Sequence, residues 1–453
     1  MNFNLIIPRN GACITNRGIC LLLASIAIAL LSACASAPPN PEATLPSKTA
    51  PDTPIVNQVG GEASERDLSQ NLQAMLVQIS KAEGIPIGTL ETAFADSKNL
   101  AQVRKLVMPG PPGFKKNWIA YRGRFIEPIR IKAGMAFIEQ NRLYLDEVER
   151  ETGVPGTVIA SIIGVETIYG RNMGSFKVKD VLSTLAFNYP DTPNRATREA
   201  LFQDQLKQLI LLCWAEAGGN ATRSTKPASI KANAFDRCLN QTSSYAGAIG
   251  LPQFMPGSIR NFAKDGDGDG MIDLRQSRSD AIASVARFLR MHGWQPGMPI
   301  YFPITETEQN QAAIRRLADG LPDAKHTVQE FIDLGILDSR YGDLQAGGVA
   351  PQSKALIIDL PLINAQGNDE VRYVVGLENF ISIVQYNRSY FYAQSVAEFA
   401  EALGYKNQSV VPVAPTKANT KETKSEVKSA TKSTEPVKAH PKKSTAKKKL
   451  KQT

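Results

Sequence analysis

The stretch GVETIYGRNMG, residues 164–174, follows the apolar run VIASIIGV (158–165) and places a carboxylate at the end of what reads as a buried helix. Pro155 near its first turn and Gly170 just past its end predict a helix over 155–169. Projected as a helix, Ile159, Ile162 and Ile163 share one face, and Glu166 lies four residues beyond Ile162 and three beyond Ile163. Glu166 therefore falls on the apolar stripe. A carboxylate there loses solvation, which disfavours its charged form and raises its pKa toward that of a usable general acid. A capped or exposed glutamate at a helix end is the bland alternative, and the position on the stripe weighs against it.

Working outward, the ends of the chain differ in kind from its middle. Arg9 and Arg17 precede GICLLLASIAIALLSAC, an apolar segment too short for a comfortable membrane span and ending in small residues. Residues 1–33 read as a secretory signal, and LSAC (31–34) resembles the bacterial lipobox, which implies cleavage before Cys34 and lipidation of its thiol. A plain signal cut elsewhere is the alternative. Ala35, where Asp would favour retention at the inner membrane, points to a lipid anchor in the outer membrane. Residues 34–65, rich in Pro, Ala, Ser and Thr, read as a flexible tether, 66–405 as one continuous domain and 406–453 as a disordered tail. From Lys417 onward there are twelve lysines and three glutamates, which accounts for the whole net charge of +9. The tail is thus a basic arm for anionic polymers or lipid headgroups, or merely solubilising, and the balanced remainder gives no reason to invoke nucleic acid.

With Cys13 and Cys20 in the signal and Cys34 lipidated, Cys213 and Cys238 remain as an even pair in an oxidising compartment. A disulfide between them, or two free buried thiols, are both open at this point. The domain reads as α+β, mainly α. Amphipathic helices are expected to end at Gly84, to run over 133–153 and to run over 198–218. Alternating apolar pieces PIYFPI (299–304), ALIIDLPL (355–362), VRYVVG (371–376) and FISIVQY (380–386) predict a small antiparallel sheet, inserted over about 298–385 before the last helix.

Two further motifs carry chemistry. SSYAGAIGLPQFMPGS (243–258) sets Ser244 and Gln253 among small residues, and Gly247 and Gly250 leave backbone bare for the close approach of a ligand. In DGDGDGMIDLRQ (265–276), Asp265, Asp267, Asp269, Gly270 and Asp273 fit positions 1, 3, 5, 6 and 9 of an EF-hand loop, with the Met271 carbonyl at position 7. Position 12 is Gln276 instead of a bidentate Glu, so the expectation is a weak, structural calcium site. No organic cofactor is expected, since neither a Walker loop nor a dinucleotide fingerprint occurs. The three histidines, His292, His326 and His440, have no ligand spacing, which argues against zinc chemistry and a Ser–His–Asp triad.

Taken in order, GVETIYGRNMG, LSTLAFNYP (182–190), SYAGAIGLPQFMPGS, the acidic loop with DAIASVARFLRMHGW, and VQYNRSYFYAQSV (384–396) resemble the membrane-bound lytic murein transglycosylases of the B family. The resemblance covers roughly Tyr121 to Leu403. It implies a lysozyme-like helical core with small extra domains, and cleavage of the MurNAc–GlcNAc bond of peptidoglycan strands. It also implies Glu166 as the catalytic residue, with Ser244, Gln253, Tyr386, Asn387 and Tyr121 of YRGRF (121–125) lining the cleft. Family members can carry adjacent arginines after FNYP; this chain has DTPNRATR, leaving Arg195 or Arg198 for that role. Glycosidases generally need two carboxylates. No second acid accompanies Glu166 in the cleft motifs, so the expected reaction uses one carboxylate twice. Glu166 first protonates the glycosidic oxygen, then takes the C6 hydroxyl proton as a 1,6-anhydro ring closes. Ser244 and Gln253 are expected to orient the sugar, and Tyr121 and Tyr386 to offer it stacking faces. A hydrolytic muramidase using water, and a non-catalytic murein-binding lipoprotein, are the competing readings.

Overall fold

The helix that carries Glu166 spans Gly156–Thr167, and ten of its twelve residues are buried. In this computed structural model the described residues are 61–110, 115–219, 232–346 and 348–407; the expected signal, Cys34 and the lysine-rich tail lie outside them. A helix apolar on every side belongs in the middle of a core, so the single-stripe projection is corrected. Glu166 and Thr157 are the two partly exposed residues of this helix. The helix also stops earlier than expected. Ile168 (φ 52°) and Tyr169 (φ 57°) already adopt left-handed backbone before Gly170 (φ 93°) does. For a β-branched residue this conformation costs on the order of 1–3 kcal/mol. Thr167 offsets it: its hydroxyl donates to the Leu251 carbonyl at 3.0 Å and accepts from the Gly170 N–H at 3.1 Å.

Two helices clasp this central one. Pro128–Gln140 lies on one side and Tyr390–Ala402 on another. A Cβ on Gly164 would lie 2.4 Å from the Tyr169 hydroxyl oxygen and 2.7 Å from the Phe399 ring, so only glycine admits the second helix this closely. The helix expected over 133–153 is in fact two, Pro128–Gln140 and Arg142–Thr152. Asn141 divides them: its side-chain amide donates to the Phe137 carbonyl at 2.7 Å, a local bond that competes with helix continuation. Gly153 (φ 67°) closes the second helix.

Arg195–Glu216 and Val178–Phe187 pack as a further pair. Cys213, on the first of these, is joined to Cys238 on the helix Ala232–Leu239 with an S–S distance of 2.03 Å. At the other end of the chain, a helix spans Gly61–Glu83, so ordered structure begins inside the stretch expected to be tether.

Strands β1 (Phe176–Lys177) and β2 (Thr242–Ser243) form a two-stranded antiparallel pair. A separate four-stranded sheet has the order β3–β6–β5–β4, from Tyr301–Pro303, Asp369–Leu377, Lys354–Ile363 and His326–Thr327. The long antiparallel pair β5–β6 runs from Ala355 opposite Leu377 to Ile363 opposite Asp369. Phe302, Ile314, Val328, Phe331 and Val375 give this sheet its own small core. Two short helices fall within the insertion, Gln311–Leu317 and Val328–Asp333, the latter started by a Thr327–Glu330 capping box. FISIVQY is not a strand. It belongs to the helix Glu378–Tyr386, where Phe380, Ile383 and Val384 recur at helical spacing toward the main core.

An ion-pair network ties the sheet to the helical body. Glu398 of the helix Tyr390–Ala402 is buried, and it accepts from Arg372 on β6 at 2.7 Å and from Arg122 on the helix Trp118–Arg122. The helix Trp118–Arg122 and strand β6 are thereby both tied to one carboxylate of the helix Tyr390–Ala402.

Candidate active site

Three segments meet at Glu166: the end of its own helix, the 243–258 loop, and the 386–392 junction between the last two helices. Ser389 caps the final helix by accepting from the Tyr392 N–H at 3.3 Å, which sets Tyr392 in its first turn. From there the Tyr392 hydroxyl donates to Glu166 Oε1 at 2.6 Å. The glutamate carboxyl is closely surrounded by protein, and burial pushes its pKa up from 4.5 to about 7, the Tyr392 hydrogen bond pulling the other way. Among the described residues, no other ionisable group contributes to that shift. A carboxyl group poised near neutrality and steered by one hydroxyl can give up a proton and take one back. Burial and the neighbouring carboxylate keep the phenols of Tyr386 and Tyr392 well above their ordinary range, so both remain neutral donors.

The 243–258 loop is held to the glutamate helix by Thr167 through the Leu251 carbonyl and to the last helices by Tyr386, whose hydroxyl donates to the Pro252 carbonyl at 2.5 Å. Gln253, buried and at φ 50°, lies within this loop, and its side-chain amide donates to the Gly250 carbonyl at 2.9 Å. Ser244 is half-buried and closes the loop's first turn, its hydroxyl oxygen accepting from the Ala248 N–H at 3.1 Å. Gly247 and Gly250 do not serve ligand approach as expected. A Cβ on Gly247 would strike the Leu182 side chain at 2.5 Å and one on Gly250 the Leu274 carbonyl oxygen at 2.5 Å, so both glycines admit the protein's own packing.

Tyr386 also departs from expectation. It is 3% exposed, with its ring packed against Phe254, Phe288 and Tyr392, and so presents no face for a sugar. Its part is to hold the loop. Asn387 follows it, also buried. Tyr121 is half-buried against Phe125 and Phe391 and lines a cavity of about 400 Å³. Arg195 is not brought to these residues by any contact or cavity among the described residues. It pairs with Glu199 at 3.0 Å and lines a different pocket with Asn71 and Gln203. Arg198 lies one turn on, beside Tyr189. Sequence reasoning does not reach Tyr392, although SYFY (389–392), a capping serine three residues before a tyrosine, is a signal for it. His292 is structural: its ring stacks on Phe288 at 4.0 Å and burial lowers its pKa, keeping it neutral.

In the acidic loop, Asp265, Asp267 and Asp280 form a cluster in which one carboxylate oxygen from each lies within 4.8 Å of the others. That separation is about twice a calcium–oxygen distance of roughly 2.4 Å, and hard carboxylate oxygens are the donors calcium prefers. The residues present therefore fit the ion. The cluster differs from the EF-hand pattern. Asp269 and Asp273 are outside the cluster, accepting instead from the Met271 N–H at 2.8 Å and the Arg275 N–H at 2.9 Å. Asp280, buried at the start of the helix Arg278–Met291, is the third member of the cluster and also accepts from the Gly266 N–H at 2.8 Å.

A mainly helical core with a small appended antiparallel sheet, and a glutamate of raised pKa near the end of a buried helix, suit a lysozyme-like glycan-cleaving enzyme. The chain belongs to the transglycosylase SLT domain family, which it matches over residues 67–401. It is a lytic transglycosylase. It is 30% identical over 400 residues to the membrane-bound lytic murein transglycosylase B of Escherichia coli (strain K12), covering 83% of this chain and 94% of that protein. Among solved structures it is similar to the soluble lytic transglycosylase SltB1 of Pseudomonas aeruginosa (TM-score 0.59, 30% identity, 74% of this chain and 98% of that one). The lytic transglycosylase Slt35 of Escherichia coli, solved in complex with calcium, matches at TM-score 0.57 and 29% identity over 74% of this chain and 92% of that one.

Proposed function

We propose that this enzyme acts on peptidoglycan, cleaving the β-1,4 bond between MurNAc and GlcNAc and leaving 1,6-anhydro-MurNAc ends. The observation that carries the reading is Glu166 itself, one carboxyl group with a pKa near 7, held at 2.6 Å by Tyr392 and with no second carboxylate acting on it. Glu166 protonates the glycosidic oxygen as an oxocarbenium-like state forms, with the MurNAc 2-acetamido group assisting at C1. As a carboxylate it then takes the C6 hydroxyl proton while that oxygen closes the anhydro ring, so water is not a reactant. Tyr392 steadies the carboxylate form between the two steps. In this reading Ser244, Gln253 and Asn387 contact the sugar, Tyr386 holds the 243–258 loop in place, and Tyr121 offers an aromatic face to the sugar.

The relative in Escherichia coli is described as membrane-bound, and among the described residues no helix is long and apolar enough to cross a membrane. A lipid anchor on Cys34 at the periplasmic face of the outer membrane suits both facts, with the basic tail reaching anionic polymer or headgroups. Calcium held by Asp265, Asp267 and Asp280, with the Met271 carbonyl, would brace the loop that leads into the helix Arg278–Met291. Digestion of purified sacculi followed by mass spectrometry of the released muropeptides tests the assignment. Anhydro ends are expected from the wild type, with a loss of at least about a hundredfold in rate for Glu166→Gln. Reducing ends would make the enzyme a hydrolytic muramidase, and binding without release of fragments would make it a scaffold.

A further inference from the structure

Among the described residues only three that are not glycine hold backbone of positive φ: Ile168 (52°), Tyr169 (57°) and Gln253 (50°). All three lie in the segments that meet at Glu166. For side chains of this size the left-handed conformation is costly, and it persists only where the surroundings over-determine it. At Tyr169 the surroundings are plain to see. The turn after Glu166 folds the Tyr169 ring back over the helix it has just left. There the ring stacks on Phe137 of the helix Pro128–Gln140, with centroids 5.0 Å apart. Its hydroxyl oxygen fills a gap between two glycines, because a Cβ on Gly134 and one on Gly164 would each lie 2.4 Å from it. The same two Cβ atoms would meet the final helix, at 2.7 Å from Leu403 and 2.7 Å from Phe399 respectively.

One phenol thus stands where three helices converge. Its hydroxyl has no hydrogen-bond partner among the described residues, so the side chain acts by shape and not through a polar bond. The one charge acting on it is Arg130, also from the helix Pro128–Gln140. Filling a core does not by itself call for strained backbone. What the strained turn adds is a wedge placed beside the reacting group. Gly164 lies two residues before Glu166 and Tyr169 three after it. Phe399 lies seven residues, or two turns, beyond Tyr392 on the same face of the final helix. The hydrogen bond from Tyr392 to Glu166 therefore spans a joint into which Tyr169 is driven.

We propose that Tyr169 is a positioning residue for the reaction: wedged between the three helices, it holds Glu166 in register with the Tyr392 hydroxyl. The proposal rests on Glu166 as the acid/base residue. Tyr169→Leu, assayed on soluble glycan strands by release of anhydro ends, should lower kcat at least about tenfold and change KM by less than about twofold, because alignment is lost and binding is not. In a Tyr392→Phe background the same substitution should lower kcat by less than about threefold, since the bond it protects is already absent. Tyr169→Phe keeps the ring and should retain most of the rate. For the case in which Tyr169→Leu does not fold, Gly134→Ala disturbs the wedge from the neighbouring helix. Its methyl presses on the Tyr169 hydroxyl, so kcat should fall, and adding Tyr169→Phe should recover most of the loss. Equal losses in the two backgrounds, kcat and KM moving together, or no recovery in the Gly134 pair each overturn the proposal. A Tyr392→Phe enzyme with the wild-type rate overturns it too, because there is then no bond to protect. If Glu166→Gln keeps the wild-type rate, the acid/base reading fails first and takes this one with it.

Discussion

Replacing Tyr392 with Phe should move the alkaline limb of the pH–rate profile upward by about one unit. The Tyr392 hydroxyl donates to Glu166 Oε1 at 2.6 Å and is the one influence that lowers a pKa that burial raises to about 7. A hydrogen bond to a charged acceptor is worth about 1.5–3 kcal/mol, and one to a neutral acceptor about 0.5–1.5 kcal/mol. The bond therefore favours the carboxylate over the acid by roughly 1–1.5 kcal/mol, or about one pH unit at roughly 1.4 kcal/mol each. The sign follows from that preference: without the hydroxyl the acid form persists to higher pH. Because the first step needs the proton on Glu166, the fall in kcat/KM on the alkaline side, which reports the free enzyme, should move from near pH 7 to near pH 8. The assay is the initial rate of anhydro-muropeptide release from sacculi, followed by liquid chromatography and mass spectrometry. The maximal rate should also drop, since the carboxylate loses its steering bond, but a loss of rate alone proves little. A limb that stays put, or moves to lower pH, would show that Tyr392 does not tune the acid, and the reasoning from burial and one hydrogen bond would be refuted.

The same burial makes Glu166 a liability for stability. Its pKa rises from 4.5 to about 7 on folding, so the unfolded chain gives up the proton first and stability falls as pH climbs through that window. Glu166→Gln should thus be more stable than wild type above pH 7, by up to about 3 kcal/mol, because the interval from 4.5 to about 7 is worth roughly 1.4 kcal/mol per pH unit. Near pH 4 the two proteins should be equally stable, and urea unfolding at the two pH values would expose a wrong sign at once. Calcium near ten millimolar should raise the melting temperature of the wild type, since a ligand at about ten to a hundred times its Kd adds roughly 1.4–2.7 kcal/mol. Asp267→Asn, which removes one charge from the cluster, should lose most of that increment, and an equal increment in both proteins would dissociate the ion from these aspartates.

Glu166 is legible as the candidate acid because a carboxylate inside an apolar segment is costly and therefore rare. The supporting geometry at the same place is not. A helix buried on all sides has no single stripe, and its stop is written in Thr167, whose hydroxyl bridges to Leu251, eighty-four positions away. Likewise FISIVQY alternates as a strand would, but seven residues cannot distinguish a period of two from one of 3.6, and packing against the main core decides the matter. In the acidic loop the EF-hand pattern locates the first two carboxylates, Asp265 and Asp267. It cannot supply Asp280, because the loop runs past its twelfth position and returns the acid from the next helix.

What no local pattern can show is how the site is held together. Tyr386 reads as a face for sugar because an aromatic residue in a cleft motif usually is one; its burial by Phe254 and Phe288 depends on helices far away in the chain. Tyr392 acquires its role only when the final helix crosses the glutamate helix, and that crossing depends on Gly164. The same final helix carries Glu398, which binds Arg122 one residue after Tyr121 and Arg372 from the sheet. One helix thus carries both Tyr392, whose hydroxyl lowers a pKa that burial raises, and Glu398, which holds Arg122 beside Tyr121. In the proposed mechanism, an acid/base residue used twice must stay aligned with the glycosidic oxygen first and the C6 hydroxyl second. In that mechanism, a donor and a wall carried by one helix would keep the alignment without a second carboxylate.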